Sequence, residues 1–493
     1  MLGPLNLNGI RGGFKRSDAR LGLSDDAYMD TLWRAARAAS PVRTRRLTPV
    51  DASSRLSRRQ FGSLLGGYSL ALFCPRRSGG VRPLTPRPHP VATEMAMQSL
   101  KIRAGLVIEI LERHIETGYL TGAVALLGRG SHAEVVAVGD QSRETPGLMQ
   151  RGSLFRITSM TKPITAAVTL MLVDEGKLGL TERIDRWLPE LADRRVLRNL
   201  NGPLDDTVPA KRPITVEDLL TFRCGLGFVP TAGEHSPLER RIAELQLLGF
   251  GPPDPASPLG PDEWLRRLGT LPLMAQPGET WLYNTGSSIL GVLIARVARQ
   301  PLPLLLAERL FAPLGMKDTG FVVPAAKRAR FVSAYRLESG RAQLDDAPAT
   351  SPWNKAPAFP DAAAGLVSTA DDYFAFSYFL LSQGRAGGRR LLSRERIAAM
   401  TSDHLTASQR PAAEPIVGNR RGWGFGLAVV TEATPQGVPA GAYGWNGGFG
   451  TSWVADPVSE TSAILLTQTL FSSPAPPAVH QEFWAAVFSP SIV

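Results

Sequence analysis

Cysteine is almost missing from this chain: Cys74 and Cys224 are the two in 493 residues, so no structural disulfide is expected and the redox compartment stays open. Its six histidines (His89, His114, His132, His235, His404, His480) are scattered, without His-Glu-x-x-His or Cys-x-x-Cys spacing, so no metal or other cofactor is expected. Glycine-rich phosphate cradles are missing too. The pattern Gly-x-Ser-x-Gly does not occur, which disfavours the strand-to-helix elbow of the α/β-hydrolases. No apolar run reaches the roughly 18 residues that a membrane-crossing helix needs, so no stable membrane span is expected.

Acidic residues are scarce in one region only. A net charge of +11 first suggests nucleic acid or an anionic membrane as partner. Residues 1–90, however, hold 16 Lys and Arg against 5 Asp, while the other 403 residues balance 39 against 39. The basicity therefore belongs to the N-terminal segment, and no nucleic-acid partner is expected. With Arg43, Arg45 and Arg46 clustered, prolines from Pro83 to Pro90 and little periodicity, residues 1–94 read as a basic, disordered leader. Residues 95–493 read as the working domain. Within the leader, Ser57-Arg58-Arg59-Gln60-Phe61 before the uncharged run Gly62 to Pro75 resembles a twin-arginine export signal. It lacks a small-residue cleavage site directly after the run and meets Arg76-Arg77 instead. An arginine-rich leader, or translation starting near Met95 or Met97, is the other reading, so the location is cytoplasmic, or periplasmic if Arg58-Arg59 acts as a signal.

What is present is ordinary globular material, 43% hydrophobic and 20% charged, enough for a large core. A body of nearly 400 residues is long for one lobe, so two interleaved lobes are expected. Its key stretch is Phe155 to Leu178. A short apolar strand leads to Ser159, Lys162 follows, and Ile164, Val168, Met171 and Leu172 keep a helical period, which puts Ser159 where a helix begins. Unpaired N–H groups there favour developing negative charge, and Lys162, one turn on, shares the serine's face. Pro163 suits a first helical turn. A serine hydroxyl is a weak nucleophile until a neighbour takes its proton, and a lysine can do so only when burial lowers its pKa. The plain alternative, an N-cap and a solvated lysine, remains open on these residues alone.

Around this stretch, residues 103–117 carry an amphipathic stripe, and Thr121 to Leu127 with Glu134 to Val138 read as a hairpin. The middle section reads as helical with no strand pattern, and Thr215 with Asp218 starts a short helix. Tyr283 sits at another loop-to-helix junction, before the helical run Ser287 to Val297. Ser368 and Asp371 read as the capping pair of a further helix. Trp423 to Thr431, Gly441 to Trp445, Thr451 to Ala455 and Ala463 to Thr467 read as strands, closed by a helix near residues 479–488. Strands at both ends around a helical middle imply an α+β sheet whose first and last segments pair.

These blocks, in this order, resemble the serine β-lactamase and penicillin-recognising superfamily, and within it the class C-like esterases called family VIII carboxylesterases. Phe155 to Pro163, Asp174 to Leu178, Ile214 to Leu226, Trp281-Leu282-Tyr283, Gly365 to Tyr373 and Gly444 to Thr451 carry the resemblance. It implies a β-lactamase-like fold, an antiparallel sheet flanked by helices with an inserted, mostly helical lobe. It also implies an acylated Ser159, with Lys162 and Tyr283 as proton acceptors and Tyr283 suited to protonate the leaving group. A neutral lysine beside a phenolate-like tyrosine is expected of such a coupled pair. The N–H groups of Ser159 and Gly448 would form the oxyanion hole, and Trp445, Asn446, Gly447 and Thr285 would meet the substrate. Trp445 stands where lactamases carry a lysine, and Thr285 where many carry an asparagine. The resemblance thus favours neutral, short-chain carboxylic esters as small-molecule substrates. A β-lactamase or D-alanyl-D-alanine carboxypeptidase, and a non-catalytic penicillin-binding module, are the alternatives; no feature of the sequence indicates an oligomeric state.

Overall fold

The two ends of the body meet in one sheet, as the strand pattern at both ends implies. The computed structural model describes residues 90–228, 236–338 and 341–490. The Arg58-Arg59 segment, Cys74, His89 and His235 lie outside the described residues. Helix α1 (Pro90–Glu116) is longer than its apolar stripe and crosses the boundary expected after residue 94. It leads into the hairpin of β1 (Gly122–Arg129) and β2 (His132–Gly139). Helices α2 (Thr161–Asp174), α3 (Thr285–Ala298) and α4 (Ala370–Leu381) follow. Five more strands then complete the sheet: β3 (Arg421–Trp423), β4 (Ala428–Val430), β5 (Tyr443–Gly447), β6 (Thr451–Asp456) and β7 (Thr461–Thr467). Helix α5 (Ala478–Phe488) closes the chain.

The antiparallel sheet runs β3-β4-β5-β6-β7-β1-β2, and β7 pairs with β1 from Ala123↔Thr467 to Arg129↔Thr461. Alternation along the central strands feeds two cores. Val124 and Leu126 of β1 with Ile464 and Leu466 of β7 face α2 and α4, whereas Ala123, Ala125, Leu127, Ala463 and Leu465 face α1 and α5. Helix α2 is buried at every position from Thr161 to Val173, which suits its nearly all-apolar run. It packs against α3, so the helices that follow Ser159 and Tyr283 lie side by side.

Three details differ from the sequence pattern. Trp423 to Thr431 is not one strand but the hairpin β3–β4, because the chain turns at Gly424 to Leu427 with Gly426 at φ 73°. The cap of α4 is Thr369, which accepts from Asp372 N–H, one residue later than Ser368 and Asp371. The helical middle also holds a small strand pair, Arg195–Leu197 with Thr207–Pro209, at three residues each too short to show alternation. The Thr215–Asp218 capping box forms as its sequence indicates. No single described helix is long and apolar enough to cross a membrane.

Candidate active site

Ser159 is delivered by a short, constrained approach. Phe155–Arg156 pairs with Val367–Ser368, and the 3-10 turn Thr158–Met160 then runs straight into α2. Thr158 is held at φ 38°, a left-handed conformation that costs a β-branched residue about 1–3 kcal/mol. Packing holds it there: the Gly447 backbone lies so close that a Cβ would overlap Ile157 O, Thr158 Oγ1 and Thr451 Oγ1. Ser159 itself is half-buried and opens onto a cavity of about 360 Å³.

Lys162 Nζ lies 2.9 Å from Ser159 Oγ and donates to Ala363 O at 3.0 Å. The lysine is fully buried, and lost hydration brings its pKa down to about 7, with Asp361 opposing the shift. Asp361 is itself buried; its carboxylate accepts from Ser288 Oγ at 2.8 Å and Ala363 N–H at 3.0 Å. Burial raises its pKa, while those bonds and Lys162 pull it back. Asp361 was not indicated by the sequence reading, although it stands four residues before the Gly365 to Tyr373 block.

Tyr283 OH approaches Ser159 Oγ from another side at 3.0 Å and accepts from Trp445 Nε1 at 2.9 Å. Its ring is boxed by Phe222, Trp281 and Trp445, each with centroids 5.7 Å away. Burial in that box raises the phenol to about 12, with the Ser159 and Trp445 bonds acting against it. The phenolate-like tyrosine expected from sequence is therefore corrected. Lys162 Nζ lies over the ring, 4.7 Å from its centroid, and aromatic walls surround the phenol, so the resting pair is a neutral phenol beside an easily neutralised lysine. These distances accommodate a one-way chain in which Trp445 donates to Tyr283, Tyr283 to Ser159, and Ser159 to the lysine lone pair.

The N–H groups of Ser159 and Gly448 take part in no hydrogen bond among the described residues. Gly448 lines the cavity, and a Cβ there would meet open space. Trp445 and Asn446 also line the cavity, at the end of β5. Gly447 packs on the Ser159 turn instead of facing the cavity, so its part is close backbone approach. Thr285 is a correction: it is fully buried, its hydroxyl donates to Gly249 O at 2.7 Å, and it does not line the cavity. Its neighbour Asn284, turned to φ 84° at the start of α3, lines it instead. The cavity's polar side chains are Thr158, Ser159, Tyr283, Asn284, Asn446 and Ser473, none of them formally charged; Phe228, Phe250, Phe449 and Phe471 contribute apolar walls. No cluster of His, Cys, Asp and Glu among the described residues is placed to hold a metal ion.

A sheet closed by the chain ends, with a serine, a lysine and a tyrosine converging between it and the helical lobe, is the architecture of the penicillin-recognising serine enzymes. The chain belongs to the beta-lactamase family, whose model matches residues 107–482. Protein Rv1367c of Mycobacterium tuberculosis is 40% identical over 72% of this chain and 87% of its own length. Esterase EstB of Burkholderia gladioli is 30% identical over 79% of this chain and 95% of its own. Among solved structures, EstCE1, a hydrolase with promiscuous acyltransferase activity, superposes with a TM-score of 0.67 at 27% identity, over 80% of this chain and all of its own.

Proposed function

We propose that the protein is a serine hydrolase that forms an acyl-enzyme at Ser159 and hydrolyses short-chain carboxylic esters. The observation that carries this reading is the convergence of Lys162 Nζ and Tyr283 OH on Ser159 Oγ, at 2.9 and 3.0 Å, beside a cavity with no charged wall among the described residues. The names of EstB, an esterase, and EstCE1, a hydrolase, support it.

In the proposed cycle Ser159 Oγ attacks the ester carbonyl as its proton passes to neutral Lys162. The carbonyl oxygen, now an oxyanion, takes the free N–H groups of Ser159 and Gly448; one such donor is worth about 10²–10³ in rate. Collapse breaks the ester C–O bond, and the departing alkoxide takes a proton from Tyr283, which recovers one from the Lys162 ammonium. Water then attacks the acyl-enzyme, giving its proton to the same pair, and Ser159 is regenerated with release of the acid. Trp445 stands in place of a lysine, and no described residue of the catalytic cavity supplies a cation, which ranks β-lactam hydrolysis second.

The test compares p-nitrophenyl butyrate and nitrocefin as substrates, with Ser159→Ala as control. Ester turnover that vanishes in the control, with little on nitrocefin, is expected, together with a fluorophosphonate adduct on Ser159 by mass spectrometry. Full ester turnover by Ser159→Ala would sink the reading, and faster nitrocefin than ester turnover would reverse the ranking.

A further inference from the structure

A second cavity, about 320 Å³, adjoins the catalytic one; Ile416, Trp445, Asn446 and Pro474 line both. Two of its other wall residues are unusual. Arg421, at the start of β3, places its guanidinium 5.2 Å from the Trp484 ring centroid, and makes no side-chain hydrogen bond or ion pair with any described residue. Burial lowers its pKa to about 10 with no carboxylate opposing the shift, so it is cationic at neutral pH. Trp484, buried on α5, has an indole N–H closed to solvent and without an acceptor among the described residues. The remaining charges on the wall do not neutralise the guanidinium: Arg420 pairs with Glu432, and Glu414 lies exposed.

A half-buried guanidinium without a counter-charge is unfavourable. One kind of ligand relieves that penalty: a carboxylate matches the forked guanidinium through two oxygens. The shared walls point to a carboxylate belonging to the molecule that is being turned over. Trp445 donates to Tyr283 and lines both cavities, so one wall runs from the hydrogen-bond partner of Ser159 to the cavity of Arg421.

We propose that this cavity is an anion subsite of the active site, in which Arg421 binds a carboxylate at the far end of the ester substrate. The inference rests on the reading of Ser159 as the acylated residue. It also refines the substrate: the ester group meets uncharged walls, while an acidic group one cavity away meets the cation that Trp445 does not supply.

The probes are p-nitrophenyl hydrogen glutarate, with its carboxylate on the acyl side, 4-acetoxybenzoate, with it on the alcohol side, and p-nitrophenyl butyrate as neutral reference. In Arg421→Gln the kcat/KM of one acidic ester relative to the neutral one should fall at least about tenfold through KM, and Arg421→Lys should recover part of it. Calorimetry on Ser159→Ala should show glutarate binding that Arg421→Gln in the same background loses, which reads the subsite without turnover. If neither selectivity ratio moves, if glutarate binds equally with and without Arg421, or if free glutarate stimulates the neutral ester without competing with the acidic ones, the anion subsite is wrong. If no ester is turned over while glutarate still depends on Arg421, the reading of Ser159 fails and the subsite stands.

Discussion

At the residue scale the site is a problem of proton ownership. Lys162 is held near pKa 7 by burial, so a rate that needs its neutral form should rise through about pH 7. A profile flat from pH 5 to 8 would mean that lysine ionisation does not limit the reaction. The same shift affects stability. The folded pKa of about 7 lies below the ordinary 10.5, so between these values the unfolded chain binds the extra proton. Stability contributed by this group therefore rises with pH from about 7 to 10.5, and the burial penalty is greatest below that window. Lys162→Met should abolish turnover yet raise Tm by about 2–4 °C at pH 6.5, with a smaller gain at pH 9.5, in paired melting curves. Trp445→Phe removes the N–H donated to Tyr283 and should lower kcat about tenfold, the equivalent of one hydrogen bond, with little loss of fold. Ser159 and Lys162 were legible from their spacing at a helix start, and Tyr283 through the resemblance that its Trp281-Leu282-Tyr283 block carries. Asp361 was not, because it acts on Lys162 by its charge across a fold contact about two hundred residues apart in the chain, which no side-chain spacing records.

At the element scale the decisive contact is β5 against the turn that carries Ser159. Gly447 and Gly448 are neighbours with different burdens. A methyl at Gly447 would overlap Ile157, Thr158 and Thr451, whereas one at Gly448 meets nothing within 4 Å. Gly447→Ala should cost about 1–3 kcal/mol of stability and at least about a hundredfold in kcat as the strand leaves the turn. Gly448→Ala should melt within about 2 °C of the parent, so any activity change reports on the cavity. Equal melting of both variants would show that β5 does not press on the Ser159 turn. Helix α5, expected near residues 479–488 and found at Ala478–Phe488, was readable from its apolar run. The break between β3 and β4 was not, since Gly424 and Gly426 sit inside an otherwise apolar stretch where glycine is equally at home in a strand.

At the scale of the whole molecule, pairing of β1 with β7 brings chain segments more than three hundred residues apart into one sheet. That closure sets β5 beside the start of α2, and the packing of α2 on α3 brings Tyr283 to Ser159. We propose that residues 95–493 form the working unit. Among the described side chains, the buried face of α1 holds Leu100, Val107, Ile110 and Leu111, all beyond that boundary. A protein starting at Met95 should keep kcat/KM within about twofold and Tm within about 2 °C of the full chain, by ester hydrolysis and thermal melting, because it loses none of that packing. A larger fall would place part of the unit upstream.

The sequence by itself determined the α+β plan and the helices after Ser159 and Tyr283, because periodicity and capping act over a few residues, and it named the three converging side chains through blocks that resemble a known family. Only the tertiary structure decided which neighbour reaches the cavity and which charge lacks a partner. Thr285 turns inward while Asn284, at φ 84°, faces the substrate space, and Arg421 is left with an indole ring where a carboxylate could have been. Those outcomes depend on contacts between segments far apart in the chain, where burial removes water and fixes which group can hydrogen-bond to which.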